Sequence, residues 1–170
     1  MRELTLTTAT AEATKAFGER LGGALLATSP DAPLMVALTG ELGAGKTTLV
    51  SGLLRGMGIT TAVRSPTYTL IEPYEELGAN GDRTVFHMDL YRLADARELE
   101  MLAPRDLLQP GAILLVEWAE RGSAVLKSPD MTIFLRYPEG IAAADVNNRT
   151  IVVSLHSPGV DPVFHILAKS

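Results

Sequence analysis

The chain has 170 residues, with 15 basic side chains against 20 acidic ones, a net charge of -5 and no cysteine. One domain with its own core is expected at this length, the acidic balance argues against tight autonomous nucleic-acid binding, and the missing thiols exclude disulfides, thiolate zinc sites and a cysteine nucleophile. No apolar run approaches the ~18 residues of a membrane span, and MRELTLTTATAEA lacks the regions of a signal peptide, so a cytosolic protein without membrane contact is expected.

Leu4 and Leu6 alternate with polar residues and predict a short first strand. From Thr8 to about Leu26 the pattern is helical, with Phe17, Leu21 and Leu25 at spacing four and Thr8 or Thr10 as the cap. LMVALT (34–39) is a short apolar run ending at glycine, which predicts a buried strand. From Lys46 to Met57 the period changes: Leu49, Val50, Leu53, Leu54 and Met57 share one helical face, and Gly56 and Gly58 mark its end. Further strands are predicted over 67–74, 84–90, 112–118, 131–137 and 150–156, with helices near Asp95–Leu102 and Glu120–Leu126. Pro66 and Pro73 bracket the strand at 67–74 and place it toward an edge. The order predicts an α/β fold, a mixed and mostly parallel sheet flanked by helices in a single domain. Residues 1–156 would form this domain. The remaining 157–170 would form a tail packed through Val163, Phe164, Ile166 and Leu167.

Gly40, four residues, then Gly45, Lys46 and Thr47 match the phosphate-loop pattern G-x-x-x-x-G-K-[ST]. Glycines let successive N–H groups point into one concavity, and the following helix turns its positive end to the same place. Lys46 can then reach β- and γ-phosphates, and the Thr47 hydroxyl can ligate Mg²⁺. The bland alternative is a glycine-rich turn before a helix. Such a loop needs a carboxylate at a neighbouring strand end, and Glu117 closes the run ILLVE; either it meets a cation or donors, or the strand surfaces there and the acid is solvated. Asp89 ends the run VFHMD and either orients the attacking water, holds metal-bound water, or caps a turn. His87, two residues earlier, shares its strand face and is either functional or structural. SPTYT (65–69) is either a segment sensing the γ-phosphate or an ordinary Ser-Pro turn, and Trp118 is either core packing or part of the site. No N-K-x-D segment is present, which favours ATP over GTP, and no arginine-rich lid follows the middle helix.

Four stretches in order, GELGAGKTT (40–48), SPTYTL (65–70), HMDLYRL (87–93) and VEWAE (116–120), resemble the TsaE family, small bacterial ATPases of tRNA threonylcarbamoyladenosine synthesis. The likeness runs from about Leu4 to about Val153, and a phosphate-loop ATPase fold is what it implies. The loop alone is shared with many unrelated enzymes; its combination with S-P-T-[FY], H-x-D-x-Y-R and E-W is far more specific. The resemblance implies that Gly40, Glu41, Leu42, Gly43, Ala44, Gly45, Lys46, Thr47 and Thr48 hold ATP, with Mg²⁺ on Thr47 and Glu117. Thr67 would lie in a switch segment, Asp89 would activate water, and Trp118 would lie beside the nucleotide. Arg149 occupies the place of an arginine near the end of the family's sheet, where it meets the nucleotide or simply the solvent. The implied partner is a TsaB–TsaD heterodimer, which performs the transfer to adenosine beside the anticodon, so that tRNA is met only indirectly; self-association stays open. Two other readings of the same loop are a small-molecule kinase and a nucleotide-gated binding module in which hydrolysis is incidental.

Overall fold

Eleven strands and α-helices follow the chain in a computed structural model that describes residues 2–60, 70–78, 80–138 and 147–167. They are β1 (Arg2–Thr8), α1 (Ala11–Leu26), β2 (Leu34–Gly40), α2 (Lys46–Gly56), β3 (Ile71–Leu77), β4 (Arg83–Asp89), α3 (Ala96–Met101), β5 (Ala112–Glu117), β6 (Met131–Arg136), β7 (Arg149–Leu155) and α4 (Asp161–Leu167). Among the described residues no helix is long and apolar enough to cross a membrane.

The strands form one sheet in the order β1-β7-β6-β2-β5-β4-β3. The inner strands β6, β2, β5 and β4 are parallel to one another, and β7 and β3 run against them. β1, antiparallel to β7, rejoins the majority direction. The continuous apolar runs of β2 and β5 are buried on both faces, as parallel strands between helices must be. Along β2 the alternation is strict. Val36 and Leu38 face the core under α1 and α2, while Met35 and Ala37 face the second core with Leu90, Leu99 and Leu126.

Thr10, not Thr8, caps α1: its backbone is extended and its Oγ1 accepts from the Ala13 amide at 3.0 Å. Thr8 ends β1 and its hydroxyl bonds the Thr14 hydroxyl at 2.7 Å. α1 and α2 meet backbone to backbone through Gly18 and Gly22 on one side and Gly52 and Gly56 on the other. A Cβ built at Gly22 would lie 2.0 Å from the Leu53 carbonyl oxygen, and one at Gly56 would lie 1.9 Å from that of Glu19. At the other end of α1, the buried Arg83 guanidinium donates to Ser29 O at 3.0 Å, Thr28 Oγ1 at 3.0 Å and Leu25 O at 3.3 Å. A cation at a helix C-terminus meets unpaired carbonyls and the negative end of the dipole, so Arg83 ties β4 to α1.

Three expectations are adjusted. β3 lies at the edge, as Pro73 requires, but continues past Tyr74 to Leu77 through an irregularity in its pairing with β4; residues 61–69, including the predicted start of this strand, lie outside the described residues. The predicted helix at Glu120–Leu126 is instead a 3₁₀ turn, Ala119–Gly122, with Val125 and Leu126 amides folding back onto the Gly122 carbonyl. A Cβ at Gly122 would sit 2.7 Å from both Leu90 Cδ1 and Leu99 Cδ2, so the second core closes directly over this turn. Finally, the segment after Ser157 contains α4, which buries Val163 and Leu167 in the first core against α1 while Ile166 is 43% exposed.

Asp130 fixes the entry to β6. It accepts from the Met35 amide at 2.8 Å and from Lys127 Nζ at 2.9 Å. Burial alone would raise its pKa; the hydrogen bonds from Lys127 and Met35, with the Lys127 charge, outweigh burial and hold the carboxyl below its usual value.

Candidate nucleotide site

The loop joining β2 to α2 is shaped by its glycines. Gly40 has φ +126°, and a Cβ there would lie 2.0 Å from the Leu135 carbonyl oxygen of β6, so no side chain fits. Gly45, at φ +98°, takes the left-handed conformation that starts α2 at Lys46. Arg149, at the start of β7, holds the loop from outside, with Nε donating to Ala44 O at 3.1 Å and a second nitrogen reaching Gly43 O at 3.5 Å. Its guanidinium lies 4.3 Å from the Tyr137 ring centroid. Across a trans peptide, carbonyl and N–H point opposite ways, so the Gly45 N–H faces away from Arg149. A cavity of about 90 Å³ opens beside the loop, lined by Ala11, Thr14, Gly43, Gly45, Thr48, Asn147 and Arg149. Leu42, at the tip, is 67% exposed.

Lys46 is buried. Its Nζ donates to Gly40 O at 2.9 Å and Glu41 O at 2.7 Å, and lies 3.7 Å from the Trp118 ring centroid. Burial lowers its pKa below the ordinary lysine value, against the opposing charges of Glu117, Glu120, Asp89 and Glu41. Glu117 closes β5 and is 1% exposed, so the strand does not surface there. Its Oε2 accepts from Thr47 Oγ1 at 2.8 Å and its Oε1 lies 3.0 Å from His87 Nε2. Hydroxyl and carboxylate together make an all-oxygen donor pair of the kind a hard divalent cation takes.

Asp89 is the register partner of Glu117 on the adjacent parallel strand. It is half-buried, and its Oδ1 accepts from the Tyr91 amide at 3.0 Å, which realises the turn-capping reading at one carboxylate oxygen. Trp118 has φ +59°, a left-handed conformation that is uncommon for a bulky residue and costs on the order of 1–3 kcal/mol. Its amide donates to Leu38 O at 3.0 Å. The ring packs against the second core and also lies beside Lys46. Tyr91 lies 5.1 Å from it by centroids, and Arg121 sits over both rings while donating to Tyr91 O at 2.6 Å. Thr67 and the SPTYT stretch lie outside the described residues.

The predicted residues thus fall around one loop: Lys46, Thr47, Glu117, Trp118 and Asp89 toward β4 and β5, and Gly43, Gly45, Thr48 and Arg149 around the cavity. The sequence does not reveal the Arg121–Tyr91–Trp118 stack or the contact of His87 with Glu117. The one available signal for the latter is that His87 shares a strand face with Asp89.

Comparison with known proteins bears on the whole chain. A family model described as "Threonylcarbamoyl adenosine biosynthesis protein TsaE" matches residues 8–144. The tRNA threonylcarbamoyladenosine biosynthesis protein TsaE of Haemophilus influenzae is 43% identical over 121 residues, 71% of this chain and 74% of that one. The protein of the same name from Bacillus subtilis is 38% identical over 119 residues, 70% of this chain and 68% of that one. The crystal structure of Bacillus subtilis YdiB superposes with a TM-score of 0.69 at 27% identity, covering 99% of this chain and 95% of that one. With its loop, its strand-end acids and this match over most of its length, the chain belongs to the TsaE family.

Proposed function

We propose that this chain binds ATP with Mg²⁺ on the loop Gly40–Thr48 and hydrolyses it to support threonylcarbamoylation of adenosine beside the anticodon of tRNA, acting in the cytoplasm on a TsaB–TsaD heterodimer. The observation that carries the reading is the buried Glu117 carboxylate bonded at 2.8 Å to the hydroxyl that follows the loop lysine. A buried acid at a strand end is unfavourable unless donors or a cation meet it.

In this reading Lys46 and the first turn of α2 neutralise phosphate charge. Thr47 and Glu117 would hold Mg²⁺, which would supply further charge neutralisation. Asp89, the register partner of Glu117, would accept a hydrogen bond from the attacking water. Arg149 holds the Ala44 and Gly43 carbonyls of the loop. Thr67 would sense the γ-phosphate, as the family resemblance implies. The acidic balance of the chain fits contact with tRNA through partners.

The test is reconstituted threonylcarbamoylation of tRNA with the partner proteins and this chain present as wild type, as Lys46→Ala, or left out. Repeated turnover should require the wild-type chain and release free phosphate. Equal turnover without the chain would overturn the proposal, and labelled γ-phosphate on a metabolite would replace it with the kinase reading. Sustained turnover with a non-hydrolysable ATP analogue would favour a nucleotide-gated module.

A further inference from the structure

His87 has no part in the reading above, yet it is the most completely buried polar group next to it. Its side chain is 0% exposed. It stands on β4 opposite Leu115 and continues the row of Val85, Ile113 and Leu115 that faces the core under α1 and α2. In those apolar surroundings Nε2 meets Glu117 Oε1 at 3.0 Å, and Nδ1 has no hydrogen-bond partner among the described residues.

The proton's place follows from this. An ionised carboxylate only accepts, so the Nε2–Oε1 contact is a hydrogen bond only when Nε2 carries the proton. Nδ1 then buries a bare lone pair. The other tautomer would bury an N–H with nothing to receive it and set two lone-pair-bearing atoms against each other at 3.0 Å. We infer that His87 is a positioning residue for the metal-binding carboxylate. Its Nε2–H fixes Glu117 Oε1 and thereby aims Oε2, and Oε2 alone, at the Thr47 hydroxyl. A glutamate has three side-chain torsions, and one anchored oxygen leaves the carboxylate free to pivot; an anchor on each oxygen fixes both its place and its plane. This inference rests on the proposed Mg²⁺ role of Glu117.

The test separates the donor from the bulk of the ring. In His87→Gln the new amide nitrogen reaches about where Nε2 lies, in His87→Asn about where Nδ1 lies, and His87→Leu supplies volume without a donor. ADP affinity is measured by calorimetry in EDTA, and Mg²⁺ or Mn²⁺ is then titrated at saturating ADP. Metal-free ADP affinity should stay within about threefold in His87→Gln, His87→Asn and His87→Leu, while metal affinity falls by about 10–100-fold in His87→Leu and His87→Asn and is kept in His87→Gln. In a Glu117→Gln background, His87→Leu should add nothing. The chain has three histidines, and nitrogen NMR should show one with Nε2 protonated and Nδ1 bare that disappears in His87→Gln. Unchanged metal affinity in His87→Leu, or equal losses in His87→Gln and His87→Leu, would overturn the inference while leaving the nucleotide reading intact. Should His87→Leu not fold, the His87→Gln and His87→Asn variants decide it alone. Wild-type protein that binds no ADP with or without metal would remove the nucleotide reading and this inference together.

Discussion

Two adjacent glycines of α1 should respond to the same substitution with opposite signs. A Cβ at Gly22 would lie 2.0 Å from the Leu53 carbonyl oxygen, 2.8 Å from its carbon and 3.0 Å from its Cα, all main-chain atoms of α2. A Cβ at Gly23 would meet only the Gly56 oxygen, at 3.7 Å, an ordinary contact. Alanine gains roughly 1 kcal/mol over glycine in a helix interior. At Gly23 nothing opposes that gain, so Gly23→Ala should stabilise by about 0.5–1 kcal/mol. At Gly22 relief of the clash requires the helices to part by about 1 Å, because no flexible side chain can give way, and this loosens Leu21, Leu25, Leu49 and Leu53 together. Overpacking at its usual upper end, about 3 kcal/mol or more, exceeds the propensity gain and leaves Gly22→Ala destabilised by about 2–3 kcal/mol. For a chain of this size that is a Tm lowered by about 4–12 °C, against a rise of about 1–4 °C for Gly23→Ala. Because α2 begins at Lys46, Gly22→Ala should also weaken nucleotide binding. Thermal unfolding by circular dichroism reads the first effect, and ADP titration of the folded protein the second. Equal Tm shifts in the two variants, or a stabilised Gly22→Ala, would refute the reasoning from backbone contact.

Three further outcomes are expected. Asp130 has a folded pKa below its unfolded one, so its contribution is present above the usual aspartate range near 4 and is lost as pH falls through the lower folded value. Asp130→Asn should therefore cost about 1–2 kcal/mol at pH 7 and flatten the acid limb of the stability profile, read by denaturant melts between pH 7 and 2. Arg149→Ala frees the Gly43 and Ala44 carbonyls and should weaken nucleotide binding by about tenfold, with Arg149→Lys giving little rescue because an ammonium lacks the planar fork; wild-type affinity in either variant would count against the loop-holding role. Trp118 is the only tryptophan, and Lys46 Nζ lies 3.7 Å from its ring centroid. Its emission should change when nucleotide draws Lys46 away, and stay constant on nucleotide addition to Lys46→Ala.

What could be read from the sequence was local. The loop is a contiguous motif between a buried strand and a helix, and both flanks follow from periodicity over a few residues. Glu117 was visible as the first charge after an apolar run. Contacts that depend on register or on distant segments were not visible. His87 meets Glu117 only because β4 and β5 pair with Asp89 opposite Glu117, and Arg149 reaches Ala44 from 105 positions away. The turn at Ala119–Gly122 is hidden from the sequence for a related reason. Its sequence spacing is compatible with a helix, and nothing in that spacing reveals that Leu90 and Leu99, from earlier in the chain, close over Gly122.

Lys46 already has three partners, two carbonyls and an indole face. A charge-assisted hydrogen bond is worth about 1.5–3 kcal/mol and a desolvated cation–π contact about 2 kcal/mol. Any anion that recruits this ammonium is therefore in competition with the protein's own main chain, and its apparent affinity is a difference between two occupied arrangements. A lone small oxyanion, offering one or two acceptors, gains little by the exchange. A polyphosphate that also engaged the loop amides and the start of α2 would gain more. The fold thus sets a threshold for what can occupy the loop, and it does so through contacts made by Lys46 itself.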